Sequence, residues 1–205
     1  MLLAIAIVLE LIAKLFIPEY PFGGQITVAS MLPVVLISYR HGMKWGFLAS
    51  FAYAVLEMLI GFKTVSAAFL PGYFGDGAMI FNAILMCLLD YIVAFTVLGI
   101  GGVFRNRIQK PGISLMCGCL VALGLRYLSH ILSGCILFTS YAEWFFTHEA
   151  FPAWGATLVE TLNPTVLGIT YSVVYNGLFM VPELIITAVA ALIISRIPGI
   201  VKKIS

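Results

Sequence analysis

The stretch AMIFNAILMCLLDYIVAFTVLGIGGVF, residues 78–104, decides the fold class. It is apolar along its length, and its one charged residue is Asp90. A membrane-spanning α-helix needs about 20 consecutive apolar residues, and this stretch is longer than that. A carboxylate near the middle of such a helix is costly and usually faces a cavity or a partner. The stretch therefore predicts a membrane helix that carries one acid with a structural or binding role.

The rest of the chain has the same character. Its 205 residues are 62% hydrophobic and 10% charged, with a mean hydropathy of +1.09, whereas soluble domains contain about 45–50% apolar and about 25% charged residues. Five further apolar segments, mostly separated by turn-like residues, cover about 1–17, 26–40, 43–62, 112–140 and 164–196. We expect an all-α integral membrane protein, a single domain over residues 1–205 with six transmembrane helices.

Positive charges predict the orientation. Eight of the eleven Lys and Arg residues fall in alternate turns or at the C-terminus, namely Arg40, Lys44, Arg105, Arg107, Lys110, Arg196, Lys202 and Lys203. The opposite loops contain Lys63 and five acids, Glu19, Asp76, Glu143, Glu149 and Glu160. Since cytoplasmic loops carry the excess of Lys and Arg, both termini are expected in the cytoplasm and the protein in the cell membrane.

The segment 141–162, on the predicted outer side, is rich in aromatic residues. Aromatic side chains are enriched at both membrane interfaces, so the segment is explained by an interfacial belt. It is equally explained by a lid over an outward-facing pocket. The residues alone leave both interpretations open.

Ionisable residues inside the predicted helices mark candidate structural or binding positions. Glu10 and Lys14 are four residues apart and can pair on one helix surface. The others of interest are Asp90, Arg126, His130 and Glu183. Either Arg126 forms a buried ion pair with Asp90 or Glu183 that fixes the helices, or these groups line a polar pocket together with nearby Tyr and Asn side chains.

Catalytic and metal-binding patterns are missing from the sequence. It contains neither G-x-S-x-G nor His-Glu-x-x-His, although the spacing of His130 and Ser133 leaves a membrane hydrolase open. The four cysteines lack metal-ligand spacing. There is no G-x-x-x-x-G-K-[ST] loop for ATP. We therefore expect that the protein is not an enzyme and that it has no cofactor, metal or nucleic acid partner. Any uphill import must draw its energy from other subunits or from an ion gradient.

Short motifs along nearly the whole chain resemble the thiamine-specific S-components of energy-coupling factor (ECF) transporters. They are Pro21-Phe-Gly-Gly-Gln-Ile-Thr with Met31-Leu-Pro, Tyr39-Arg-His-Gly-Met-Lys-Trp-Gly46, Leu89-Asp-Tyr91 with Ala94-Phe95, Arg126-Tyr-Leu-Ser-His130 with Ser133-Gly134, and Tyr171-Ser-Val-Val-Tyr-Asn-Gly177 with Pro182-Glu183. The resemblance implies six helices and a vitamin site among helices four to six, under the first loop.

The same resemblance implies which residues bind the vitamin: Asp90, Tyr91, His130, Gly134, Phe138, Tyr171 and Asn176. Two of them depart from the family pattern, which has Trp at the position of Phe138 and can have the longer acid at Asp90. Tyr171 and Asn176 are five residues apart, about 140° around an ideal helix. Both can contact one ligand if it lies deep in a groove or if the helix is distorted.

The chemistry of thiamine suits these residues. A carboxylate complements the thiazolium charge and accepts from the amine, and aromatic faces bind cations. The resemblance further implies a transmembrane coupling subunit and two ATPase subunits as partners, with the first three helices docked on the former. Small residues on the third helix, Gly46, Ser50 and Ala54, fit such docking or internal packing. Another vitamin, a pyrimidine precursor, or proton-coupled secondary transport remain alternatives.

Overall fold

The computed structural model describes residues 1–20, 23–74, 79–148 and 153–202. Across these residues the fold is all-helical. Its helices are α1 (Leu2–Phe16), α2 (Leu32–His41), α3 (Met43–Ile60), α4 (Phe62–Ala68), α5 (Met79–Gly102), α6 (Pro111–Leu137), α7 (Ala142–Thr147), α8 (Trp154–Thr161) and α9 (Pro164–Ile194). The predicted features at Pro21, Phe22, Asp76, Glu149 and Lys203 lie outside the described residues.

Among the described residues, four helices are long and apolar enough to cross a membrane: α3, α5, α6 and α9. The predicted spans 43–62, 78–104, 112–140 and 164–196 therefore have helical counterparts, the third of which ends at Leu137. α1 has 15 residues and α2 has 10, fewer than the roughly 20 that a span requires. The expected count of six spanning helices stays a prediction.

The predicted segment 26–40 is helical only from Leu32. Val28 and Ala29 have φ angles of 50° and 64°, which non-glycine residues rarely adopt and which a β-branched residue adopts at a steric cost. The buried carboxylate of Glu183 accepts from the backbone N–H groups of Thr27 and Ala29, at 2.7 and 3.1 Å. This contact across the chain stabilises a turn where the apolar pattern predicts helix.

The outer faces of the long helices are apolar. On α6, Leu120, Leu128, Leu132 and Ile136 are exposed, and on α9 so are Val166, Ile169, Val181 and Ile185. In water such rows would be an aggregation hazard, but lipid tails solvate them. Most polar residues of the same helices are buried, among them Arg126, Ser133, Ser172 and Glu183, so the bundle is organised for a membrane.

Helix α5 changes its winding along its length. It is α-helical over Met79–Met86, π-helical over Cys87–Val93 and 3₁₀-helical over Val97–Gly102. π-helical turns are rare and are frequent at functional sites. The π-helical segment contains both Asp90 and Tyr91.

Glycines allow the helices to approach closely. A Cβ on Gly118 of α6 would lie 2.0 Å from the carbonyl oxygen of Gly101 on α5. At the end of the bundle that carries the basic turns, a Cβ on Gly42 would meet the Arg105 guanidinium at 2.9 Å, and one on Gly112 would meet Ser195 at 2.4 Å. The turns with the excess positive charge therefore lie at one end of the bundle.

Candidate functional site

A cavity of about 120 Å³ lies inside the bundle. Its wall contains all seven residues expected to bind ligand, Asp90, Tyr91, His130, Gly134, Phe138, Tyr171 and Asn176. Residues of the first loop (Gly23, Gly24, Gln25 and Thr27) line it as well. The fold thus brings together side chains from α5, α6, α9 and the first loop, as the resemblance implies.

Asp90 fixes the polar centre of this cavity. One carboxylate oxygen lies 2.9 Å from Nδ1 of His130, and the other accepts from the hydroxyl of Ser133 at 2.6 Å. The π-helical winding of α5 presents Asp90 to both residues, which lie on one face of α6. Asp90 thus orients the His130 ring, and the same carboxylate still lines the cavity.

The second ring nitrogen of His130 is the atom that this arrangement leaves for a ligand. Nε2 is buried and has no hydrogen-bond partner among the described residues. Because an ionised carboxylate only accepts, Nδ1 donates to Asp90, and in the neutral ring Nε2 is then an acceptor. The pair therefore offers a ligand one acceptor beside a carboxylate, which matches an amine donor.

Aromatic rings form the apolar part of the wall. Tyr171 and Tyr175 are 5.6 Å apart between ring centroids, and Phe145 covers both at 5.2 and 5.7 Å. Phe138 contacts the rings of Tyr73 and Phe74, at 6.4 and 5.5 Å. These rings form only part of the wall, which also carries six charged residues, Glu10, Lys14, Glu19, Glu57, Asp90 and Arg126.

Tyr73 lies in the loop before α5, outside the helical spans. Burial raises its pKa to about 12, so the hydroxyl is neutral at physiological pH. Its backbone carbonyl accepts from the hydroxyl of Tyr141 at 2.7 Å. This bond holds the loop beside Phe138 and closes that side of the cavity.

Gly134 and Asn176 also have packing roles. A Cβ on Gly134 would lie 2.1 Å from the hydroxyl oxygen of Ser172, so only glycine allows α6 and α9 to meet there. The amide nitrogen of Asn176 donates to the backbone oxygens of Ser172 and His130, at 2.9 and 3.3 Å. Despite the angular separation, Tyr171 and Asn176 of one continuous helix both reach the cavity.

The first loop is tied over the cavity by α9. The hydroxyl of Tyr175 donates to the carbonyl of Gly23 at 2.8 Å. Gly24 has φ of +88°, and a Cβ there would lie 2.5 Å from the ring of Phe179. Glu183 holds the next turn through Thr27 and Ala29 and does not itself line the cavity.

Two predicted ion pairs differ from the structure. Within the described ranges, Arg126 has no carboxylate within ion-pair distance; it contacts Met31 Sδ at 2.7 Å and stacks 4.3 Å from the Phe95 ring. The Asp90 carboxylate is hydrogen-bonded to His130 instead, and the Glu183 carboxylate is hydrogen-bonded to backbone N–H groups. Lys14 pairs with Glu19 at 2.9 Å because Glu10 is turned inward to accept from Ser30 at 2.8 Å.

Several cavity residues were not among the predicted site residues. They include Glu10, Lys14, Glu19, Glu57, Gln25, Tyr175 and Phe179. Glu10, Lys14 and Glu57 carry a signal, since charges in membrane helices are unusual, whereas Gln25, Tyr175 and Phe179 resemble ordinary packing residues. In the described parts of 141–162, Phe145 packs behind the cavity tyrosines, and no residue of this segment lines the cavity.

The apolar exterior of the long helices defines a multi-pass membrane protein, and its cavity is a candidate site for a small molecule. The family model described as Thiamine transporter protein (Thia_YuaJ) matches residues 1–144. The chain belongs to this family.

Two relatives agree with the assignment. The thiamine transporter ThiT of Bacillus subtilis (strain 168) is 29% identical over 195 residues, which cover 91% of this chain and 82% of that protein. The solved structure of ThiT from Listeria monocytogenes superposes with a TM-score of 0.61 at 19% identity, over 98% of this chain and 93% of that one. The latter similarity shows that the fold is shared.

Proposed function

We propose that this chain is the thiamine-binding S-component of an ECF importer, whose transport is energised by separate ATPase subunits through a transmembrane coupling subunit. The observation that carries the proposal is the convergence of the seven predicted residues on one cavity in a member of a thiamine transporter family. The whole chain, 1–205, acts as one membrane domain of six helices.

Thiamine binds through the polar centre and the aromatic wall. Asp90 complements its positive charge, and Nε2 of His130 accepts from the amine of the pyrimidine. Tyr171 and Phe138 supply ring faces for the cation, an interaction that strengthens when the cation is desolvated. Tyr91 and Asn176 complete the wall, and Gly134 keeps α6 and α9 close enough to enclose the ligand.

Energy coupling separates this proposal from secondary transport. Vesicles that contain this chain alone, with a proton gradient, should bind labelled thiamine without accumulating it. Vesicles that also contain the coupling and ATPase subunits should accumulate it when ATP is supplied. Concentrative uptake by the chain alone would contradict the S-component assignment.

The orientation follows from the basic turns. Gly42, Arg105 and Ser195 lie at one end of the bundle, and positive charge favours the cytoplasmic side. In a variant without the four native cysteines, a cysteine at exposed Thr147 should react with an impermeant thiol reagent in intact cells, and one at exposed Asn106 should not. The reverse labelling pattern would place the cavity on the wrong side for import.

Phe138→Trp should retain or strengthen thiamine binding. Trp offers the best ring face for a cation, and the gain at a desolvated contact is about 0.5–1 kcal/mol. Phe138→Ala should weaken binding, as measured by titration calorimetry on the purified protein. Phe146→Ala is the matched control, because Phe146 is equally buried but does not line the cavity. Equal binding by Phe138→Ala and the parent would show that Phe138 is a packing residue.

A further inference from the structure

Glu57 is a buried acid near the end of α3, and thiamine binding as proposed above does not use it. The residue is 4% exposed and lines the same cavity as Asp90. Oε1 of its carboxylate has no hydrogen-bond partner in the described part of the chain. A buried acceptor without a partner is destabilising, so this atom is suited to a donor that enters from the cavity.

The nearest cations do not neutralise Glu57. Lys14 is paired with Glu19 at 2.9 Å. Arg126 directs one guanidinium nitrogen at Met31 Sδ and stacks on Phe95, and no ion pair between Arg126 and Glu57 forms among the described residues. The second acid of this wall, Glu10, already accepts from Ser30 at 2.8 Å. Oε2 of Glu10 thus has a donor, whereas the buried Oε1 of Glu57 has none among the described residues.

The end of α3 adjoins the polar centre. Gly61, four residues after Glu57, also lines the cavity, and a Cβ there would lie 2.6 Å from the hydroxyl of Tyr91. Tyr91 follows Asp90 directly in the π-helical segment. A ligand that contacts Asp90 and Tyr91 therefore lies in the same cavity as Glu57.

We infer that Glu57 is a ligand-binding and specificity-determining residue, which accepts a hydrogen bond from a hydroxyl or amine of the bound cation and disfavours its phosphate ester. A carboxylate oxygen accepts, so the partner that Oε1 lacks must be a donor. A phosphate ester replaces the hydroxyl donor by acceptor oxygens, and it brings negative charge into a wall whose four acids, Glu10, Glu19, Glu57 and Asp90, outnumber its two cations, Lys14 and Arg126. The inference rests on the proposed function and concerns which form of thiamine is selected.

The test compares Glu57→Gln with the parent protein, using thiamine and its monophosphate ester as probes in equilibrium titrations. Glu57→Gln keeps the shape and removes the charge. Thiamine affinity should fall by about tenfold or more, and affinity for the monophosphate should fall less or rise. The ratio of the two affinities should therefore shift towards the monophosphate by at least that factor.

Glu160→Gln is the control, because Glu160 is an exposed acid that does not line the cavity; it should leave both affinities and their ratio unchanged. If Glu57→Gln does not fold, Glu57→Asp retains the charge with a shorter reach. That variant should lose thiamine affinity, and the ratio should shift less than in Glu57→Gln because the negative charge remains. Unchanged thiamine affinity, or equal factors for both probes in Glu57→Gln, would overturn the inference. Failure of the parent protein to bind thiamine would instead refute the proposed function itself.

Discussion

Asp90→Asn should lower thiamine affinity by more than about tenfold, since truncating one member of a buried charged pair costs roughly 2–5 kcal/mol. The substitution removes the negative charge that complements the ligand. It also leaves one acceptor oxygen where the carboxylate has two, so either His130 or Ser133 loses the acceptor that it has now. If His130 loses it, the ring reorients or changes tautomer, and Nε2 no longer presents the same acceptor to the cavity.

Thermal melts with and without thiamine separate this effect from loss of folding. Without ligand, the melting temperature of Asp90→Asn should fall modestly, because His130 or Ser133 loses a buried acceptor, whereas thiamine affinity should fall much more. Ser133→Ala provides the control, since it removes one neutral donor and should reduce affinity less. A large loss of ligand-free stability together with intact thiamine affinity would show that Asp90 is a structural carboxylate.

Glu183→Ala should destabilise the ligand-free protein. It leaves the backbone N–H groups of Thr27 and Ala29 without their acceptor, at about 1–3 kcal/mol for each unsatisfied buried group. The strained turn at Val28 and Ala29 would then relax, and the adjoining loop residues that line the cavity would move. Thiamine affinity should fall as well, chiefly through faster dissociation.

Glu183→Gln retains one acceptor oxygen and should lie between Glu183→Ala and the parent in melting temperature. The exposed acid Glu160 supplies the control, because Glu160→Ala removes a carboxylate without removing a buried hydrogen bond. An unchanged melting temperature and dissociation rate in Glu183→Ala would mean that the first loop is held by other contacts.

Hydropathy alone was sufficient to predict the four long helices, because each is apolar over a full span. It was insufficient for residues 26–31. That segment is as apolar as a helix, yet Glu183, more than 150 positions later in the chain, binds its backbone in a turn. A local pattern carries no information about a partner so distant.

The candidate site shows the same division. The sequence motifs were sufficient to predict Asp90, His130 and Tyr171 as site residues, and all three line the cavity. The π-helical winding around Asp90 leaves no pattern in the apolar spacing. Nor could the sequence tell that Arg126 stacks on Phe95 while Glu57 keeps an oxygen without a partner. Those outcomes depend on tertiary packing.

The most direct measurement is a binding titration of the purified chain, without partner subunits, ATP or an ion gradient, against thiamine, riboflavin, biotin and a free aminopyrimidine. Saturable one-to-one binding of thiamine, tighter than that of every other compound and weakened by Asp90→Asn, is the predicted result. Preferential binding of another vitamin, or no binding of thiamine by the folded protein, would contradict the assignment of this cavity.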